Sequence, residues 1–524
     1  MSADTDTRPG TGPGPGPEPV PPVRHATSPP ARLAPPTPAP RRRLADLARS
    51  RTTRRVLTGL VLVGGLGLVL GVLPGSDSSL SGPARTTILV FSAAILAWVF
   101  TDVDDTYVAL GAATALVLAG VLSTDELFAT LGDDTVWLLL AAFVIAAGVT
   151  SSGLATRAAA WIIAGASTPH QLVHLLTAAL VVTTFAVPST SGRAALALPV
   201  LVGLARVLRG HPQLVRALAL VFPTVILLSA VGSLLGAGAH LVTSQVVATA
   251  TGEGFDFAGW LTLGLPLAVV ASHLGAELVL LMFTDREQRS VRLSVRPEDF
   301  EAGSPTPVTG PFTVAESRAS LLLAAVVLLW CTESLHGVHP AIVALGGALV
   351  ATSPRYGATS LKAALATVPW SLLLFMAATL ALGTALTSSG AAQWLAQGLF
   401  GGLVEGSATV FIVVVVLIST AAHLVVQSRS ARSSVLVPIV VALSPAVGVD
   451  PAAAAFASTA AAGFCHTMPS SAKPVAIFAK VEGVETYTPA DLLRLSVVLA
   501  PLSAALVLLF SFAVWPVLGM PLTP

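Results

Sequence analysis

Residues Val187–Pro199 read VPSTSGRAALALP, and residues Ser428–Pro438 read SRSARSSVLVP. Each sets Ser-x-Ser, a small residue and an arginine ahead of five residues and a proline, inside apolar flanks. A hydroxyl donates or accepts, and a guanidinium offers a planar fork that matches the oxygens of carboxylate, sulfate or phosphate. An arginine at mid-bilayer costs about 2.5–3.5 kcal/mol on insertion scales, so it needs a cavity or a partner. Neither stretch contains an acidic residue. A third pair of polar breaks, LGAGAHLV around His240 and MPSSAKPV around Lys473, adds a basic residue each. The expected substrate-binding set is therefore Ser189, Thr190, Ser191, Arg193, His240, Ser428, Arg429, Ser430, Arg432 and Lys473, with a small anion as the missing partner. The competing reading is that these arginines snorkel or bond backbone carbonyls.

What must position these residues follows from composition. The 524-residue chain is 54% hydrophobic and 10% charged, with a mean hydropathy of +0.82. Soluble domains carry about 25% charged residues, so the chain reads as an all-α polytopic membrane protein. A net charge of +1 gives no electrostatic basis for binding nucleic acid. No HExxH motif or paired nucleophile and base argues for an enzyme, and no cofactor is expected beyond a coupling ion, sodium or a proton. Cys331 and Cys465 lie in apolar segments and give no disulfide framework.

Residues 1–40, rich in Pro and Gly, read as a disordered cytoplasmic tail. Apolar runs of roughly 20 residues near 56–74, 86–101, 106–122, 135–165, 214–250, 259–283, 317–335, 338–352, 368–400, 451–480 and 490–518 give eleven spans. The blocks 170–208 and 407–445, each interrupted by a Ser-x-Ser stretch, read as helical hairpins that leave on the side they entered. With the N-terminus cytoplasmic, Arg41–Arg43, Arg206, Arg209, Arg286, Arg289 and Arg355 fall inside and Asp125, Asp133, Glu253 and Glu405 outside. That is the positive-inside bias of a multi-pass protein of the cell membrane.

The chain also repeats itself. Thr150–Gly153 and Thr387–Gly390 both read TSSG, 237 residues apart; the Ser-x-Ser stretches lie 239 apart, and His240 and Lys473 lie 233 apart. The first copy begins after three spans and the second after eight, so the copies are inverted across the membrane. Inverted repeats with polar breaks at corresponding places mark secondary transporters. The expected organisation is scaffold helices in 41–134, a first repeat core in 135–283, and a cytoplasmic loop in 284–316. Further scaffold helices fall in 317–367 and a second repeat core in 368–524.

From residue 56 onward the chain resembles the divalent anion/sodium symporter family, the permeases for dicarboxylates, citrate and sulfate. Family members carry two Ser-Asn-Thr motifs, each followed at fixed spacing by a proline. Ser189-Thr190-Ser191 with Pro199 and Ser428-Arg429-Ser430 with Pro438 occupy those places. Gly236–Leu241 and Pro469–Val475 match the family's Gly-Thr-Pro-Pro-Asn-like breaks. WLLLAAFVIAAGVTSSGLA and LLLFMAATLALGTALTSSGAA match the helices before each hairpin. The resemblance implies eleven spans with two re-entrant hairpins whose tips stop midway, scaffold and transport domains, a homodimer, and elevator-like transport. Both motif asparagines are replaced, by Thr190 and Arg429, and Val475 stands where the second break has its asparagine. A fixed arginine charge repels sodium at close range, so reduced or absent sodium dependence is expected. The alternatives are a sodium-coupled symporter of the same anions, an ion/proton antiporter, or a metalloid-anion permease of the broader superfamily.

Overall fold

The computed structural model describes residues 80–101, 103–303, 306–400 and 407–523. The expected tail and the first span, 56–74, lie outside these residues. Among the described residues, twenty α-helices of six or more residues carry the fold: α1 (Gly82–Phe100), α2 (Asp105–Leu118), α3 (Thr124–Ala129), α4 (Asp134–Ser152), α5 (Leu154–Ile163), α6 (Pro169–Ala186), α7 (Thr190–Val207), α8 (Pro212–Leu228), α9 (Gly238–Thr251) and α10 (Phe257–Phe283). They continue as α11 (Val314–Cys331), α12 (Pro340–Ala351), α13 (Leu361–Thr367), α14 (Trp370–Ser388), α15 (Ala391–Phe400), α16 (Ala408–Ala421), α17 (Arg429–Leu443), α18 (Pro451–Ala461), α19 (Lys473–Ala479) and α20 (Pro489–Leu509). Ten segments among the described residues are long and apolar enough to cross a membrane. The protein is thus a multi-pass, all-helical membrane protein.

The order of helices recurs. Gly82 and Val314 open α1 and α11, Asp134 and Trp370 open α4 and α14, Thr190 and Arg429 open α7 and α17, and Phe257 and Pro489 open α10 and α20. Packing follows the same pairing crosswise. α4 lies along α12 while α14 lies along α2, and α9 lies along α17 while α19 lies along α7. The recurrence in helix order begins at α1 and α11.

Four apolar runs read as single spans are each divided in two. Gly153 and Gly390, the glycines of the two TSSG motifs, both adopt φ +81°, ending α4 and α14. Only glycine takes that left-handed turn without strain. The runs 214–250 and 451–480 are interrupted between α8 and α9 and between α18 and α19. α2 and α12, with 14 and 12 residues, extend only about 21 and 18 Å at 1.5 Å per residue. Hydropathy registers apolar runs and not the backbone turns that subdivide them.

Helix starts are locally encoded. Ser123 with Glu126, Thr313 with Glu316, and Thr488 with Asp491 form capping boxes, each satisfying two otherwise orphan backbone donors. The segment between α10 and α11 is folded against the helices. The Gly165 amide donates to Val295 O and the Leu293 amide to Ser167 O, and Phe300 packs against Gly203. The buried Arg157 of α5 donates to both carboxylate oxygens of the buried Glu316 of α11, at 3.1 and 2.8 Å, and also to Gly310 O.

Candidate anion site

The first serine of each Ser-x-Ser stretch caps a helix. Ser189 Oγ accepts the Gly192 amide at the start of α7, and Ser428 Oγ accepts the Ala431 amide at the start of α17. The chain turns over Val187–Ser189, directly after α6 ends at Ala186, as Pro188 dictates by disfavouring helix in the residue before it. Gly192 lies inside α7, beyond this turn. A Cβ there would stand 3.0 Å from Val187 Cγ1, so the glycine admits Val187 against the first turn.

Two equivalent arginines meet different fates. Arg193 is 1% exposed and its fork is engaged by the protein. Nε donates to Thr183 Oγ1 at 3.0 Å, Nη1 to Ile226 O at 3.0 Å, and Nη2 to Leu180 O at 2.6 Å and Ser229 Oγ at 2.7 Å. It ties α6 and α7 to the end of α8, the carbonyl-bonding alternative weighed from the sequence. Arg432 is equally buried but has one long bond, Nη1 to Phe464 O at 3.4 Å, and its Nε and Nη2 have no partner. Arg429, half-buried at the second tip, likewise has unpaired, buried Nε and Nη1. A Cβ on Gly463 would lie 3.6 Å from Arg429 Nη2, so the guanidinium faces the break between α18 and α19.

The two breaks share a backbone path. Ser233 (φ −139°, ψ 140°) and Met468 (φ −135°, ψ 154°) are extended and precede three-residue turns, Leu234–Gly236 and Pro469–Ser471. Ala237 (φ −158°, ψ 150°) and Ala472 (φ −157°, ψ 147°) then lead into α9 and α19. This match sets Gly238 opposite Lys473 and His240 opposite Val475, so the equivalence of His240 with Lys473 read from the sequence is two residues out. That pairing matched residue class, whereas the backbone is registered by its extended alanines.

His240 is fully buried against Trp260, with ring centroids 5.0 Å apart. Its Nδ1 donates to Ser233 O at 2.9 Å, and its Nε2 is buried without a partner. His466, not singled out from the sequence, accepts the Cys465 amide at Nδ1. Its Nε2 is buried without a hydrogen-bond partner. Arg429 lies within electrostatic reach of Arg193, His240, His466, Arg432 and the Cys465 thiol. Ser430 Oγ lies 3.2 Å from where a Gly238 Cβ would stand.

The structure thus gathers Ser428, Arg429, Ser430 and Arg432 with His240 at one locus, and adds His466. Ser189, Thr190 and Ser191 are half-buried, and the Ser189 carbonyl accepts the Arg193 amide. Lys473 is exposed, and Asp105 lies within electrostatic reach of both Lys473 and Ser428. Sequence reading found no acid within the tips or breaks. Asp105 arrives from α2, 323 positions from Ser428, and no local pattern announces it. His466 was legible in principle, as a polar residue in the irregular stretch after Ala461. Among the described residues no group of three or more His, Cys, Asp or Glu side chains suits a metal ion.

The family described as "Sodium:sulfate symporter transmembrane region" matches residues 54–521. A "Membrane protein" of Cupriavidus necator is 25% identical over 429 residues, covering 80% of each chain. A "Sodium-dependent dicarboxylate transporter SdcS" of Staphylococcus saprophyticus is 25% identical over 457 residues, covering 80% of this chain and 84% of the other. In fold, the chain is similar to the Alcanivorax borkumensis YdaH transporter (TM-score 0.52, 16% identity, 90% of this chain and 99% of that one). It is also similar to Neisseria gonorrhoeae MtrF (TM-score 0.54, 14% identity, 88% and 99%). Together with the paired helix breaks and the partnerless guanidinium donors, the near full-length match leads to one assignment: the chain belongs to the sodium:sulfate symporter family, secondary transporters that move small anions across membranes.

Proposed function

We propose that the protein carries a small multivalent anion of the dicarboxylate, citrate or sulfate class, bound at Arg429 and Arg432 between the two helix breaks. One observation supports this above the rest. Four guanidinium N–H positions, Nε and Nη1 of Arg429 and Nε and Nη2 of Arg432, are buried without an acceptor. A buried cation without hydrogen bonds is expensive, and an oxyanion would satisfy several of these donors at once. Ser428, Ser430, His240 and Lys473 complete the expected set, with Ser189, Thr190, Ser191 and Arg193 shaping the opposite tip.

In this reading the recurring helices are inverted repeats, α6–α7 and α16–α17 are re-entrant hairpins, and the breaks move with them against a scaffold of a homodimer. Arg429 supplies a fixed positive charge where the family has a neutral residue, so sodium is not required for binding. The N-terminus lies in the cytoplasm. The test is counterflow in proteoliposomes holding the full chain, with succinate, citrate and sulfate as probes, in sodium or in choline buffer. Saturable counterflow of at least one anion, equal in both buffers, is expected. A saturable sodium dependence refutes the coupling claim, and the absence of counterflow with every anion refutes the substrate class.

A further inference from the structure

A second basic site lies away from the helix breaks. α11 begins and α12 ends at the same end of the bundle, where Arg318 and Arg355 flank Tyr356. The Arg318 guanidinium lies 5.3 Å and that of Arg355 5.5 Å from the centre of the Tyr356 ring. Arg318 Nη1 also donates to Arg355 O at 3.1 Å, which fixes its direction. Among the described residues neither arginine has a carboxylate partner. Below this pair a groove of about 320 Å³ runs between α4, α11 and α12, walled by Val149, Leu321, Leu322, Ala325 and Val350. Leu321 is 73% and Val350 49% exposed on this apolar surface. The close approach of α12 at Gly148, where a Cβ would lie 3.2 Å from Ala351 Cβ, forms the groove's floor.

We propose that this groove binds one anionic phospholipid, its phosphate on Arg318 and Arg355 and an acyl chain along Leu321, Leu322 and Ala325. Three features select that occupant. Two arginines at one end and an apolar wall at the other match a molecule with one charged and one hydrocarbon end. Basic residues and tyrosine at the ends of spanning helices sit at the headgroup level. Unpaired basic side chains there attract anionic lipid with about 1 kcal/mol each. A soluble anion has no use for the groove, and a second copy of the chain would bring like charges to the rim. The site is independent of the transport reading and stands or falls separately from it.

The experiment uses the full purified chain, with native mass spectrometry and thermal denaturation in phosphatidylglycerol or phosphatidylcholine, and inorganic phosphate as a third arm. One phosphatidylglycerol per chain should be retained with a higher melting temperature, and phosphatidylcholine and phosphate should do neither. R318Q should weaken the preference about fivefold, and R318Q/R355Q about thirtyfold. A325W, which leaves both arginines in place and fills the groove, should abolish retention of the lipid. Equal binding of the two lipids, stabilisation by phosphate alone, or unchanged lipid retention in the double variant and in A325W overturns the proposal. A change of oligomeric state in the variants without lipid loss assigns the groove to a second copy and overturns it as well.

Discussion

Arg193 and Arg432 stand at equivalent places in recurring helices and should fail in opposite ways when replaced by methionine. Arg193→Met removes four hydrogen bonds, two to backbone carbonyls and two to hydroxyls. Thr183 Oγ1 still donates to Leu180 O, and Ser229 Oγ to Val225 O, so neither hydroxyl is left without a bond. At the roughly 0.6 kcal/mol average for such bonds within membranes, the four together contribute about 2–3 kcal/mol. Arg432→Met removes one long bond and a buried charge with two idle donors. Replacing buried charge by packed apolar atoms is often neutral or stabilising. Without ligand, thermal denaturation of the purified protein should rank Arg432→Met at or above the parent and Arg193→Met well below it. With a bound anion at about a hundred times its Kd, the parent should gain about 2.7 kcal/mol. Arg193→Met should keep that gain and Arg432→Met should lose it. A parent-like anion response in Arg432→Met, or a stable Arg193→Met without the response, refutes the division of labour drawn from the hydrogen bonds.

Two further outcomes follow from local geometry. Gly153 and Gly390 share φ +81°, but a Cβ on Gly153 would also collide with the Thr306 side chain, whereas Gly390 has open space. Gly390→Ala should therefore cost about 1 kcal/mol and Gly153→Ala clearly more; equal melting temperatures would contradict this. In the segment between α10 and α11, hydrogen bonds from the Thr309 hydroxyl and from the Thr309 and Val308 amides hold the Glu301 carboxyl below its usual 4.5. The carboxylate therefore secures the segment above pH 4.5, and the contribution fades as pH falls through the lowered value. Hydrogen exchange at Val308 and Thr309 should accelerate over that acid range in the parent, and at all pH values in Glu301→Gln. Parent-like protection in Glu301→Gln would remove the carboxylate from this role.

Composition alone determined that the chain is helical and membrane-embedded, because a chain 10% charged cannot keep its surface in water. The two TSSG motifs and the two Ser-x-Ser stretches were legible as a repeat because each encodes a local backbone event. Gly153 and Gly390 turn left-handed, and Ser189 and Ser428 cap helices. The helix boundaries at the two Ser-x-Ser stretches were legible for the same reason, since Pro188 and the capping serines act within a few residues. Tertiary structure alone decided which arginine is idle. Arg193 meets Leu180, Ile226 and Ser229, acceptors delivered by α6 and by the end of α8, whereas the break after α18 offers Arg432 one backbone carbonyl, that of Phe464, at 3.4 Å. The same holds for Asp105, which α2 brings near Ser428 across 323 positions of sequence, and for the two-residue correction between His240 and Lys473. Sequence fixes which groups a segment can present, but whether a buried donor has an acceptor depends on distant backbone brought within about 3 Å, which no local pattern records.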